Sequence, residues 1–159
     1  APVLVAAEKK WRATKPIVAA VDLSSKSRVV RQLNDQVVAT AKRFADQLDT
    51  ELYLVHALHI PAVLTELDLV DEFTHVKKMK QDLHPRVQKL AKAHGLPLSA
   101  IKLKQGPVDK VITSESARLK AQLVVMGTVG RKGVKGQLLG NTAEKVLTRL
   151  RTDVLAIKP

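Results

Sequence analysis

The sequence predicts one α/β domain, an open parallel sheet of five strands with helices on both faces. Three observations carry that prediction. Five short aliphatic runs recur along the 159 residues, and every interval between them holds apolar positions at helical spacing. The chain is 45% hydrophobic with one Trp, one Tyr and two Phe, so its core must be aliphatic. Gly95 with Pro97, Gly106-Pro107 and the glycines between 127 and 140 fall at joints between segments.

Lys15-Pro16-Ile17-Val18-Ala19-Ala20-Val21-Asp22 reads as a buried strand ending at a carboxylate and two serines, Ser24 and Ser25. Leu33, Val37, Ala41, Phe44 and Leu48 then mark one face of an amphipathic helix. Glu51 to His56 is the second strand, followed by a loop of small apolar residues through His59 and Pro61. The next helix carries Val76, Met79, Leu83, Val87, Leu90 and Ala91 and stops at His94-Gly95, with Pro97 just beyond. Leu98 to Lys104 alternates, as an edge strand would. Gly106-Pro107 opens a helix bearing Val108, Val111, Ile112 and Leu119. Gln122 to Gly127 is the most central-looking strand. A Gly- and Lys-rich loop over 128–140 leads to a helix from Thr142 to Leu150, and Asp153 to Lys158 is the last strand.

One feature lies outside this alternation. Pro2-Val3-Leu4-Val5-Ala6-Ala7 resembles Asp153-Val154-Leu155-Ala156-Ile157-Lys158, and a polar stretch, Glu8 to Thr14, separates it from the first strand. It reads either as the last strand and linker of a preceding similar domain, over residues 1–14, or as a coincidental apolar arm. Such an arm could pair with the final strand, in the same chain or in a partner.

The absence of cysteine excludes disulfides and thiolate metal sites and suits a reducing compartment. No run approaches the roughly 18 apolar residues that cross a bilayer, and the apolar start is too short for a signal peptide. A cytoplasmic protein without membrane attachment is expected. The 27 Lys and Arg against 15 Asp and Glu leave a net charge of +12, a field that attracts phosphates and other anions.

In open α/β sheets, ligands bind beyond the carboxyl ends of the strands, where strand order reverses. Asp22, after the first strand, and the segment from Gly127, after the fourth, are the candidates. Between Gly127 and Thr142 the glycines at 127, 130, 133, 136 and 140 could turn backbone N–H groups towards an anion. The helix that follows presents its own free N–H groups there. The plainer reading is a surface loop closed by an Asn141–Glu144 capping box. Arg131 and Lys132 stand where phosphates would arrive, whereas Lys77, Lys78, Lys80, Arg86, Lys89 and Lys92 read as the solvated face of a helix.

The spacing Gly-x2-Gly-x9-Gly followed by a small polar residue, after a hydrophobic strand near the C-terminus, resembles the universal stress protein family. The likeness runs from about Pro16 to Pro159 and includes Val21-Asp22, Gly106-Pro107 and Asp153-Val154-Leu155. Met126-Gly127-Thr128-Val129-Gly130-Arg131 with Leu139-Gly140-Asn141-Thr142-Ala143-Glu144 looks most like the second domain of tandem, E-type bacterial members. The resemblance implies a Rossmann-like sheet of order 3-2-1-4-5 and ATP, or another adenine nucleotide with or without Mg²⁺, held between strands one and four. Asp22 would meet the adenosine with Val21 beside it, and His56 or Ala57 and Gly106 would line base and ribose. Gly127, Gly130, Gly140 and Asn141 would wrap the phosphates, with Met126, Arg131 and Thr142 in the same site. Asn141 stands where nucleotide-binding members carry Ser or Thr; its amide can donate but is bulkier, and Thr142 comes one position later. The expected role is regulation of stress responses.

Other classes are less well supplied. Nucleic acid is not the expected partner, because four scattered aromatics make no stacking platform. Enzyme signatures are missing: no Gly-x-Ser-x-Gly elbow, no Walker A loop, no convincing metal pair in His56-Ala57-Leu58-His59. Binding rather than catalysis is expected, weak ATP hydrolysis aside. The alternative is the same fold with a degenerate site, acting as a dimerisation module through its final strand.

Overall fold

The computed structural model describes residues 2–7, 10–11, 14–128 and 140–159. In chain order the elements are β1 (Val3–Val5), β2 (Ile17–Ala20), α1 (Arg28–Leu48), β3 (Leu52–Leu58), α2 (Ala62–Glu66), α3 (Glu72–His94), β4 (Ile101–Gln105), α4 (Val108–Arg118), β5 (Leu123–Gly127), α5 (Asn141–Arg149) and β6 (Asp153–Ile157).

The sheet runs β1-β6-β5-β2-β3-β4. Its five longer strands are parallel and follow the anticipated order. Among the described residues, however, the sheet has six strands rather than five. The N-terminal arm is the sixth, antiparallel to β6 in the same chain with Val3 opposite Ala156 and Val5 opposite Val154. It is anchored further along: Trp11 lies 6.3 Å from Phe44 between ring centroids, and its indole N–H donates to Asp153.

Period-two alternation sorts each strand between two cores. Ile17, Ala19, Leu54, Leu123 and Val125 pack under α1 and α3, against Leu33, Val37, Leu83 and Val87. Val18, Ala20, Val55, Val124 and Met126 face the other way, against Val111 and Ile112 of α4 and Ala143 and Val146 of α5. Helices therefore cover both faces. Parallel strands buried on both sides read as continuous apolar runs, which is why they were legible in the sequence.

Local differences have local causes. β3 continues to Leu58, two residues past the expected end at His56, which is a buried strand residue. The expected loop beyond it contains the short α2. Leu98–Ala100 is a turn of 3-10 helix, and the fourth strand begins only at Ile101. Asp71 opens α3 by accepting from the Thr74 N–H at 2.9 Å, and Gly95 closes it in the left-handed conformation at φ 63°. Asn141 is the first residue of α5 rather than its cap. Gly140 occupies the cap position and no side chain caps the helix, so the expected Asn141–Glu144 box is absent.

Candidate functional site

β2 and β5 lie side by side at the centre of the sheet, and their outer neighbours were reached by crossovers in opposite directions. The backbones must diverge at the carboxyl ends, and a cavity of about 550 Å³ opens there. Val21, Asp22, His56, Met126, Gly127, Gly140, Asn141 and Thr142 all line it. Gly106 does not; it turns the chain from β4 into α4 at φ 136°, donating to Leu58 O at 3.0 Å. Gly130, Arg131 and Lys132 lie outside the described residues.

The turn after β2 is held from four sides. Oδ1 of Asp22 accepts from the Ser24 N–H (3.0 Å), the Ser24 hydroxyl (2.7 Å) and the Ser25 N–H (3.2 Å). Its Oδ2 takes no hydrogen bond from the described residues. Asn34 of α1 grips the Asp22 backbone twice, accepting from its N–H at 3.1 Å and donating to its carbonyl at 2.7 Å. Arg86 of α3 donates to the carbonyls of Leu23 (2.5 Å) and Ser25 (3.0 Å). His56 Nδ1 lies 3.2 Å from the Leu23 N–H and 3.1 Å from the Val21 carbonyl, and can serve only one of them at a time. Burial lowers the pKa of this imidazole, against a smaller upward pull from the Val21 carbonyl and the Asp22 charge.

Arg86 therefore departs from the solvated-face reading, while Lys77, Lys78, Lys80, Lys89 and Lys92 keep it. Asn34 was missed altogether. Its signal was available: it sits on the buried stripe of α1 with Val37, Val38 and Ala41, where a polar residue needs a partner.

Across the cavity, the glycines act differently from the expectation. Neither Gly127 nor Gly140 is in a left-handed conformation. Gly127 is required by close approach: a Cβ there would stand 2.5 Å from Leu33 Cδ2. The Thr128 N–H is spent on Ile157 O at 2.8 Å. Among the described residues, the donors left open here are those at the start of α5, whose ladder starts with the Glu144 N–H to Gly140 O at 3.0 Å. That leaves the N–H groups of Asn141, Thr142 and Ala143 without partners inside the helix, at its positive end.

The site thus offers an exposed carboxylate oxygen at one end, a helix N-terminus at the other, and apolar walls from Val30, Leu33, Met79, Val108 and Ile112 between them.

Comparison with known proteins fits this geometry. A structure of a functionally unknown Pseudomonas aeruginosa protein superposes with a TM-score of 0.79 at 28% identity, over 99% of this chain and 52% of that one. A universal stress protein in complex with cAMP shares the fold, with a TM-score of 0.56 at 22% identity, over 92% of this chain and 98% of its own. Universal stress protein E of Escherichia coli is 30% identical over 161 aligned residues, covering 99% of this chain and 51% of the relative. This chain accordingly spans about half the length of the curated relatives it matches most fully. Residues 13–158 match the sequence model of the universal stress protein family, and the chain belongs to that family.

Proposed function

We propose that this domain binds an adenine nucleotide in the cavity between β2 and β5, and that occupancy, not turnover, is its regulatory output in a cytoplasmic stress response. The observation that carries the reading is the polarity of the site. Asp22 Oδ2 can accept from a ribose hydroxyl, and the N–H groups of Asn141, Thr142 and Ala143 suit phosphate oxygens. A nucleotide meets both ends, with ribose hydroxyls at one and anionic oxygens at the other, and its base suits the apolar walls between them. The volume of about 550 Å³ is in the range of small-molecule sites. The cAMP complex of a protein with this fold supports the same ligand class. As part of this reading, residues 1–14 belong to a tandem arrangement with a second, similar domain.

A second reading rests on β1, whose Val3, Leu4 and Val5 are 46%, 54% and 42% exposed at the sheet edge. It makes the domain an assembly module with a degenerate site.

Thermal unfolding with ATP, AMP and cAMP, with and without Mg²⁺, separates the two. A ligand at about a hundred times its Kd adds roughly 2.7 kcal/mol. At about 2–4 °C per kcal/mol for a chain of this size, Tm rises by about 5–11 °C. Asp22→Asn keeps an acceptor for Ser24 and Ser25 but turns the free oxygen into a donor, and should lose most of that shift. No shift with any of the three nucleotides refutes the nucleotide reading and leaves the assembly module.

A further inference from the structure

A second cavity, of about 880 Å³, opens at the opposite pole of the sheet, where β2, β5 and β6 begin. It shares no lining residue with the first. Lys10, Lys15, Lys120, Arg149 and Arg151 surround it. Arg149 is neutralised by Asp109 at 3.1 Å. The other four form no ion pair among the described residues. The lining carboxylate is Asp153, already engaged by the Ala7 N–H at 2.5 Å and by the Trp11 indole. Four cations against one carboxylate leave a field that a monovalent anion does not balance.

Ser116 provides a separate pointer. It lines this cavity, is 1% exposed, and its hydroxyl has no hydrogen-bond partner among the described residues. A helical serine or threonine ordinarily bonds back to a carbonyl one turn earlier. Its neighbours on α4 do so: Thr113 donates to Asp109 O at 2.7 Å and Ser114 to Val111 O at 3.2 Å. Ser116 departs from that habit at the wall of a cationic cavity. An unpaired buried hydroxyl is unfavourable, and an acceptor at the cavity wall would relieve it. Lys120 adds to this: it sits in the left-handed conformation at φ 54°, at the end of α4 where glycine is the easier residue.

We propose that this cavity is a second ligand site, which takes the phosphoryl end of a small phosphorylated molecule. The cations come from three separate parts of the chain and converge from several directions, as a multiply charged, multi-oxygen anion requires. Ser116 adds one neutral donor at the wall. The site is independent of the nucleotide cavity.

Trp11 is the sole tryptophan and bonds to Asp153 on the cavity wall, so its fluorescence reports occupancy. Titration with inorganic pyrophosphate should give a saturable change, matched by one-to-one stoichiometry in calorimetry. Ser116→Ala should weaken binding about ten- to a hundredfold, as loss of one hydrogen bond to a charged group does. Lys15→Gln combined with Lys120→Gln should weaken it more than about tenfold. Asp22→Asn should leave it intact, which separates this result from the fate of the nucleotide site. A linear, unsaturable response would overturn the proposal, as would saturable binding indifferent to Ser116→Ala and the double lysine variant. Binding by single-stranded oligonucleotides with pyrophosphate silent would overturn it in favour of a nucleic-acid surface.

Discussion

Replacing Gly127 by alanine tests how the site is built into the core. The added Cβ would lie 2.5 Å from Leu33 Cδ2 and 2.6 Å from Leu33 Cγ. Ordinary carbon contacts begin near 3.5 Å, so Leu33 must retreat by about 1 Å. It has little room, being 4% exposed and packed in the core beneath α1. Interiors are close-packed, and forcing a methyl group into one typically costs about 1–3 kcal/mol. For this chain length that lowers Tm by about 2–12 °C. The displacement also reaches the site, because Asn34, the residue after Leu33, holds both backbone groups of Asp22. Thermal and urea unfolding of Gly127→Ala, Leu33→Ala and the double variant measure the coupling. Leu33→Ala alone should cost about 2–5 kcal/mol. In the double variant the clash disappears, so the two losses should fall short of additivity by about 0.5–3 kcal/mol. An unchanged Tm for Gly127→Ala, or strict additivity, would refute the close-approach argument.

Two further outcomes follow from the turn after β2. Arg86→Met keeps the aliphatic stem of a half-buried side chain but removes the donors to Leu23 and Ser25. It should loosen residues 22–25 and raise the nucleotide Kd about three- to tenfold, although Arg86 does not line the cavity; unchanged affinity and unchanged amide exchange at Leu23 would argue against a positioning role. His56 is held neutral by burial, with its pKa below the ordinary 6.5. The unfolded chain then binds more protons than the folded one, so stability is full above pH 6.5 and falls as pH drops from there through the folded value. His56→Gln should flatten that limb relative to the native protein in denaturant midpoints measured between pH 7 and about pH 5, and parallel curves would exclude His56 as the cause. The range stays above the ordinary carboxylate value of 4.5, below which Glu115, held low by its hydrogen bond to Arg118, adds its own acid sensitivity.

Much of this protein is written in local patterns. The aliphatic runs at Ile17–Ala20 and Leu123–Gly127 and the stripe through Leu33, Val37 and Ala41 state element type and order, because burial on two faces or on one helical stripe imposes a period that neighbouring residues carry by themselves. Asp22 and Gly127 were legible as strand tips for the same reason. What tertiary structure alone decided depends on residues far apart in the chain. Asn34 and Arg86 converge on one turn from two helices, and the glycine at 127 answers to a leucine on α1. Pairing of the Val3–Val5 arm with the final strand was open in the sequence, but its antiparallel direction and its closure onto β6 of the same chain were not. Lys15, Ser116, Lys120 and Arg151 are unremarkable one by one; only the packing of α4 against the start of the sheet gathers them around a single cavity, since charge and hydrogen-bond demand act through space and leave no period in the sequence.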